Sequence, residues 1–145
     1  EAYLAAAKAG EPAAMHSVGL AYQEGRGVVR NPNEAVRWYQ QSVAHGNTAS
    51  MTNLGNMYSD GDGVPRDYRR AMELYQRGAD LGNAFCMNNL GARYANGEGT
   101  SKDRTKAIEW YRKAYAKLST IQDAGDRERL RRTVLDNLRK QNASP

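Results

Sequence analysis

Three stretches of this chain can be laid over one another without a gap. Val18–Tyr39 reads VGLAYQEGRGVVRNPNEAVRWY, Leu54–Tyr75 reads LGNMYSDGDGVPRDYRRAMELY, and Leu90–Tyr111 reads LGARYANGEGTSKDRTKAIEWY. Successive copies are displaced by 36 residues. Gly19, Gly55 and Gly91 align, as do Tyr22, Tyr58 and Tyr94, the glycine pairs 25/27, 61/63 and 97/99, the alanines 35, 71 and 107, and Tyr39, Tyr75 and Tyr111. A fixed period of this size is the signature of a repeat architecture. It predicts stacked supersecondary units, each burying its apolar face against the next.

Each unit reads as two helices. In the first copy Ala14, Val18, Gly19 and Tyr22 lie on one helical stripe, and Ala35, Trp38 and Tyr39 form a second. The Gly-x-Gly between them supplies the left-handed backbone that ends a helix. Asn31, Asp67 and Asp103 stand where a side-chain oxygen can cap the second helix, and Pro32 suits its first position. Gly46 and Gly82 end the second helices, and Asn47 and Asn83 open the next units.

The motif SDGDG at 59–63 looks like the start of a calcium loop. That loop would need an oxygen ligand at Val64 and a glutamate at Ala71, and the sister loops QEGRG and ANGEG lack the paired aspartates. The expectation is a helix stop, with no metal and no cofactor. A phosphate-binding loop would need Gly-Lys-Ser/Thr, which the chain lacks.

The pattern Leu-Gly-x-x-Tyr, Gly-x-Gly-Val, Asp, Ala-x-x-Trp-Tyr, Gly resembles the Sel1-like repeat, a relative of the tetratricopeptide repeat, over residues 1 to about 118. The resemblance implies an all-α fold: a right-handed α-solenoid of antiparallel helix pairs whose first helices line a concave surface. The expected organisation is one repeat domain. It holds the second helix of a partial repeat (1–10, with Tyr3 at the tyrosine position), repeats at 11–46, 47–82 and 83–118, a C-terminal capping helix in 119–141 and a tail at 142–145. Thr100 and Leu118 depart from the pattern, and with no glycine at 118 the last second helix is expected to run on towards Ser119. NASP at the end reads as a frayed tail; Asn142-Ala-Ser is formally a glycosylation sequon of low specificity.

After Leu118 the expected capping helix starts near Asp126. Leu130, Val134 and Leu138, with Leu135, give it an apolar stripe, and a repeat stack needs its last apolar face covered. Arg127, Arg129, Arg131, Arg132, Arg139 and Lys140 lie largely on the other face, diluted by Glu128 and Asp136. The net charge of +5 is modest, and the interleaved acids argue against nucleic acid. No apolar run is long enough to span a bilayer. The single cysteine, Cys86, excludes an internal disulfide and leaves periplasm and cytoplasm both open. It occupies the packing slot of Ala14 and Ser50 and reads as an inert core thiol. Trp38 and Trp110 recur at the repeat period and read as packing.

No catalytic constellation is apparent. His45 precedes a stop glycine, His16 lies on a first helix, and neither has a nucleophile or second ligand beside it in the pattern. The chain therefore reads as a non-enzyme. The resemblance implies scaffold or adaptor work through the first helices, with an immunity-type inhibitor of an effector as a special case. An architectural piece of a longer solenoid, or a glycan- or peptidoglycan-binding module, is the alternative.

By helical phase and family analogy the inward positions are Ala13, His16, Ser17, Leu20 and Gln23; Ala49, Thr52, Asn53, Asn56 and Ser59; and Phe85, Asn88, Asn89, Ala92 and Ala95. The candidate partner-binding residues are His16, Leu20, Gln23, Thr52, Asn53, Asn56, Ser59, Phe85, Asn88 and Asn89. Asparagine amides can pair with a peptide backbone in either sense, and Leu20 and Phe85 offer apolar anchorage. None of these positions is Lys or Arg, so the expected partner is a protein or peptide segment that is uncharged or basic rather than acidic.

Overall fold

The structure, a computed structural model, describes residues 2–145. They form eight α-helices and, among the described residues, no strand: α1 (Ala2–Lys8), α2 (Pro12–Glu24), α3 (Pro32–Ala44), α4 (Thr48–Asp60), α5 (Tyr68–Asp80), α6 (Ala84–Asn96), α7 (Arg104–Ala116) and α8 (Ala124–Lys140), with a 3₁₀ turn at Leu118–Thr120. The chain divides within α5 into two compact units, Glu1–Ala71 and Met72–Pro145. In the first unit α2 packs on α1 and α3, and α3 packs on α4. In the second, α7 packs on α6 and α8. This is an all-α helical-repeat fold built from consecutive helix pairs.

The caps expected from the sequence are formed. Asn31, Asn47, Asp67, Asn83 and Asp103 each accept the backbone N–H three residues on. Gly25, Gly61 and Gly97 end the first helices in the left-handed region. The second glycine of the loop has a packing reason as well as a conformational one. At Gly63 (φ 74°) a Cβ would stand 2.7 Å from the Pro32 carbonyl oxygen, so only glycine lets this loop lie on the start of α3. Asp62 of the same loop pairs with Arg30 Nη2 through both oxygens at 3.2 Å. The calcium-loop lookalike is thus a helix stop whose carboxylate ties one repeat's loop to the preceding one.

The helix pairs are locked by tyrosine against glycine. Tyr39 on α3 is fully buried, and its ring lies where a Gly19 Cβ would be, 2.7 Å away. Tyr111 on α7 stands against Gly91 in the same way, at 2.8 Å. Ser42, also buried, donates to the Pro12 carbonyl at 2.8 Å and joins α3 to the start of α2. Cys86 is fully buried and unbridged.

The C-terminal third departs from expectation in three places. The α-helical part of α7 stops at Ala116. Lys117 (φ −95°, ψ 0°) tightens the chain into the 3₁₀ turn, which buries Leu118 without a glycine. Helix α8 starts two residues earlier than expected, at Ala124, because Asp123 caps it by accepting the Asp126 N–H at 2.8 Å. The tail is fastened rather than frayed. Asn142 takes the left-handed conformation (φ 54°), and the Ala143 N–H returns to the Leu138 carbonyl at 2.9 Å, a Schellman-type closure. Arg112 of α7 donates to the Ser144 carbonyl at 2.9 Å, and Arg104 donates to the Gln141 carbonyl. Leu130, Val134 and Leu138 are the buried stripe of α8. Its exposed basic side chains are largely answered by its own acids, in pairs such as Arg129–Asp126, Arg132–Glu128 and Lys140–Asp136.

Candidate functional site

The first-helix surface of the first unit is organised around the Tyr39 hydroxyl. Packing of Tyr39 on Gly19 brings its oxygen out between α2 and α4, beside the candidates His16, Gln23 and Asn53. Tyr39 Oη donates to Gln23 Oε1 at 2.7 Å and accepts from Asn53 Nδ2 at 3.3 Å. Asn53 Nδ2 also lies 3.0 Å from His16 Nε2. An amide NH₂ can only donate, so Nε2 accepts and the neutral ring carries its proton on Nδ1. The His16 and Tyr39 rings are 5.7 Å apart and tilted by 37°. Three helices thus contribute to one continuous set: His16 and Gln23 from α2, Tyr39 from α3 and Asn53 from α4.

Burial sets the protonation of this cluster. It pushes the Tyr39 phenol up to about 12; the Asn53 hydrogen bond works against that, and the Glu24 charge adds to it. Burial also lowers the His16 pKa from 6.5. Both groups are therefore neutral at pH 7. His16, Gln23 and Asn53 are half-buried, with Leu20 half-buried one turn from His16 on the same helix. Asn53 Oδ1, the Gln23 amide nitrogen and His16 Nδ1 are not spent in the network, and none is buried away from solvent without a partner.

The second unit uses the same tyrosine–glycine lock with other polar neighbours. Asn88, at the His16 position of its repeat, is buried, and its Oδ1 accepts from Asn137 Nδ2 of α8 at 2.9 Å. Its own Nδ2 lies 3.4 Å from Asn89 Oδ1. Asn88 thus serves to seat α8. Ala95, at the Gln23 position, is buried. Arg93, only 17% exposed in its side chain, pairs with Glu98 at 3.3 Å. Burial pushes the Tyr111 phenol up to about 12, with the Arg93 charge opposing.

Of the remaining candidates, Thr52 donates to the Thr48 carbonyl of its own helix at 3.2 Å, and Ser59 is buried. Asn56, Asn89 and Phe85 are half-buried. Two residues missed by pattern reading matter here. Tyr39 recurs at the repeat period and by that pattern reads as packing, yet its hydroxyl is the hub of the first-unit cluster. Arg93 fell between the inward positions; its signal is Glu98 five residues later, inside the loop. Among the described residues no group of acidic, histidine or cysteine side chains is arranged to hold a metal ion, and no helix is long and apolar enough to cross a membrane.

Helix pairs with a recurring tyrosine–glycine lock, seen at Tyr39 on Gly19 and Tyr111 on Gly91, and variable polar first-helix residues define a tetratricopeptide-like repeat protein. The Sel1 repeat model matches residues 12–47, 48–83 and 84–117, and the chain belongs to the Sel1 repeat family. Such proteins are generally non-catalytic protein-interaction scaffolds. Among solved structures, a Sel1 repeat protein from Oxalobacter formigenes shares 29% identity at a TM-score of 0.68, over 77% of this chain and 46% of that one. A protective antigen present in uropathogenic Escherichia coli strains, displaying an SLR fold, shares 29% identity at a TM-score of 0.76, over 94% of this chain and 32% of that one. Helicobacter pylori cysteine rich protein B matches at 22% identity and a TM-score of 0.57, over 60% of this chain and 65% of that one, a likeness of fold alone. The chain spans less than half the length of the first two. No curated protein sequence matches it.

Proposed function

We propose that this chain is a non-catalytic protein-binding scaffold whose first-unit surface, formed by His16, Leu20, Gln23 and Asn53, engages an uncharged or basic segment of a partner protein. The observation that carries this reading is the Tyr39-centred cluster. It holds three amphoteric or donor side chains in fixed orientation while leaving Asn53 Oδ1, the Gln23 amide nitrogen and His16 Nδ1 to pair outward. Fixing these side chains in the free protein reduces the ordering cost of binding. An acceptor beside donors suits the alternating N–H and C=O of an extended main chain. Leu20 supplies an apolar contact alongside. Glu24 is the charge that acts on the Tyr39 phenol, which favours a basic segment over an acidic one.

The test is affinity capture of partners from the source cell, run beside a Leu20→Arg, Gln23→Arg double variant whose fold is checked by circular dichroism. Both positions are half-buried at the surface, so the variant is expected to fold and to lose the partner. A partner retained at full strength by the folded variant moves the binding surface elsewhere.

A further inference from the structure

The hydrogen bonds of the first-unit cluster have a direction. Asn53 donates to both His16 Nε2 and Tyr39 Oη, and Tyr39 in turn donates to Gln23 Oε1. Asn53 uses its two N–H hydrogens on these two acceptors, and Tyr39 has one proton to give. The arrangement is self-consistent only while Nε2 of His16 is an acceptor.

A proton added to His16 makes both ring nitrogens donors. Two donors, Nε2–H and the Asn53 NH₂, then face each other across 3.0 Å. The conflict is relieved by turning the Asn53 amide over so that Oδ1 accepts from Nε2–H. That turn places an oxygen, not an NH₂, beside Tyr39 Oη. Tyr39 can answer by donating to Asn53 Oδ1, and Gln23 must then turn its NH₂ inward to donate to Tyr39 Oη. Each link reverses between the same positions, with the oxygen and nitrogen of the Asn53 and Gln23 amides exchanging places. No covalent bond changes, and the one proton comes from solvent.

We propose that His16, Asn53, Tyr39 and Gln23 form a hydrogen-bond relay that sets the polarity of the binding surface: neutral His16 presents an acceptor at Asn53 and a donor at Gln23, and protonated His16 exchanges the two. This rests on the reading of the surface as a binding face. In the neutral state a main chain is accommodated with its N–H at Asn53 and its C=O at Gln23. In the protonated state the same segment meets a donor with its N–H and an acceptor with its C=O, so it is rejected in that register.

Two charged side chains border the relay: Glu24 acts on the Tyr39 phenol and raises it further, and Arg30 Nε donates to the Gln23 backbone carbonyl at 3.0 Å. Tyr39 is the titratable group facing His16 from α3, and burial keeps it neutral. Asn53, the group facing it from α4, is uncharged. Of the charged or titratable side chains of α1 (Tyr3, Lys8) and of α2 itself (Tyr22, Glu24), none acts on His16, which burial alone shifts.

Solution NMR on the full chain tests the relay without any partner, so its outcome is separable from that of the capture experiment. The imidazole nitrogens of His16 and the side-chain amide resonances of Asn53 and Gln23 are followed from about pH 8 to about pH 5, the range in which histidine changes charge. The expected result is a neutral His16 protonated on Nδ1, with Asn53 and Gln23 amide pairs that both shift with the His16 midpoint, below 6.5. In Tyr39→Phe, which keeps the ring on Gly19 but lacks the hydroxyl, Asn53 still follows His16 and Gln23 no longer does. His45, exposed just after α3, provides the control: His45→Gln is expected to leave both amide responses unchanged. A neutral His16 protonated on Nε2, amides indifferent to the His16 midpoint, or a Gln23 response that survives in Tyr39→Phe overturns the relay. If the relay holds but the captured partner tolerates Leu20→Arg, Gln23→Arg, the binding reading fails and the relay stands as a property of the fold.

Discussion

The two units share a scaffold and differ in what surrounds it. In both, a buried tyrosine of the second helix fills the space left by a glycine of the first, Tyr39 on Gly19 and Tyr111 on Gly91. Around Tyr39 the polar neighbours are His16, Gln23 and Asn53, gathered by the phenol oxygen. Around Tyr111 the corresponding glutamine has become the buried Ala95, the histidine has become Asn88, turned to Asn137 of α8, and the nearby charge is Arg93, held by Glu98. The repeat-invariant residues therefore account for packing, and the variable ones decide whether a unit offers a polar surface or uses its polar groups to seat the next helix.

The comparison breaks most visibly if the lock is not shared. Tyr39→Ala and Tyr111→Ala each remove a buried aromatic ring, and each is expected to cost about 3–5 kcal/mol in chemical denaturation. A loss confined to one of the two would show that the units do not rest on the same contact. Gly19→Ala and Gly91→Ala are the milder form of the same test. The added Cβ meets the tyrosine ring at 2.7 and 2.8 Å, and the expected cost is about 1–3 kcal/mol at both sites. Sharper discrimination comes from the hydroxyl alone. Tyr39→Phe deletes two hydrogen bonds at 2.7 and 3.3 Å, and Gln23 and Asn53, being half-buried, turn to water. The expected loss is about 0.5–1.5 kcal/mol. The Tyr111 hydroxyl has no hydrogen-bond partner among the described residues, so Tyr111→Phe is expected to be close to neutral.

The scaffold was legible because its chemistry is local and repeated. Asn31, Asn47, Asp67, Asn83 and Asp103 act within three residues of themselves, and Gly25, Gly61 and Gly97 act on their own backbone. The 36-residue register shows the second-helix caps and the stop glycines three times and the first-helix asparagine caps twice. The polar cluster was only half legible. Helical phase placed His16, Gln23 and Asn53 on one surface, but the bonds between them pass through Tyr39, which lies 14 residues from Asn53 and 16 from Gln23. Periodicity marks such a residue as packing and says nothing of its hydroxyl. Asn88 could not be placed because its partner, Asn137, belongs to a helix outside the repeat, 49 residues away. The closed tail had a readable signal that went unused. Asn142 follows the last apolar residue of α8 closely, and asparagine is the residue after glycine best suited to a left-handed helix end.

The smallest expected effect separates the units by pH. Burial lowers the His16 pKa below its unfolded value of 6.5, so the folded chain binds this proton more weakly than the unfolded chain does. Between the two pKa values the unfolded state holds more protons, and stability falls as the pH falls. The contribution is fully present above 6.5, is lost progressively as the pH drops towards the folded-state value, and changes no further below it. The second unit has Asn88 at the His16 position and no histidine at all, so it supplies no such term. Urea denaturation at a series of pH values from about 8 to about 5 is expected to show a midpoint that declines on acidification through this window. Replacing His16 with glutamine, which keeps an acceptor for Asn53 but does not titrate there, is expected to flatten that decline. A decline that persists unchanged in the glutamine variant would place the proton-sensitive group outside the Tyr39 cluster and remove the asymmetry between the units.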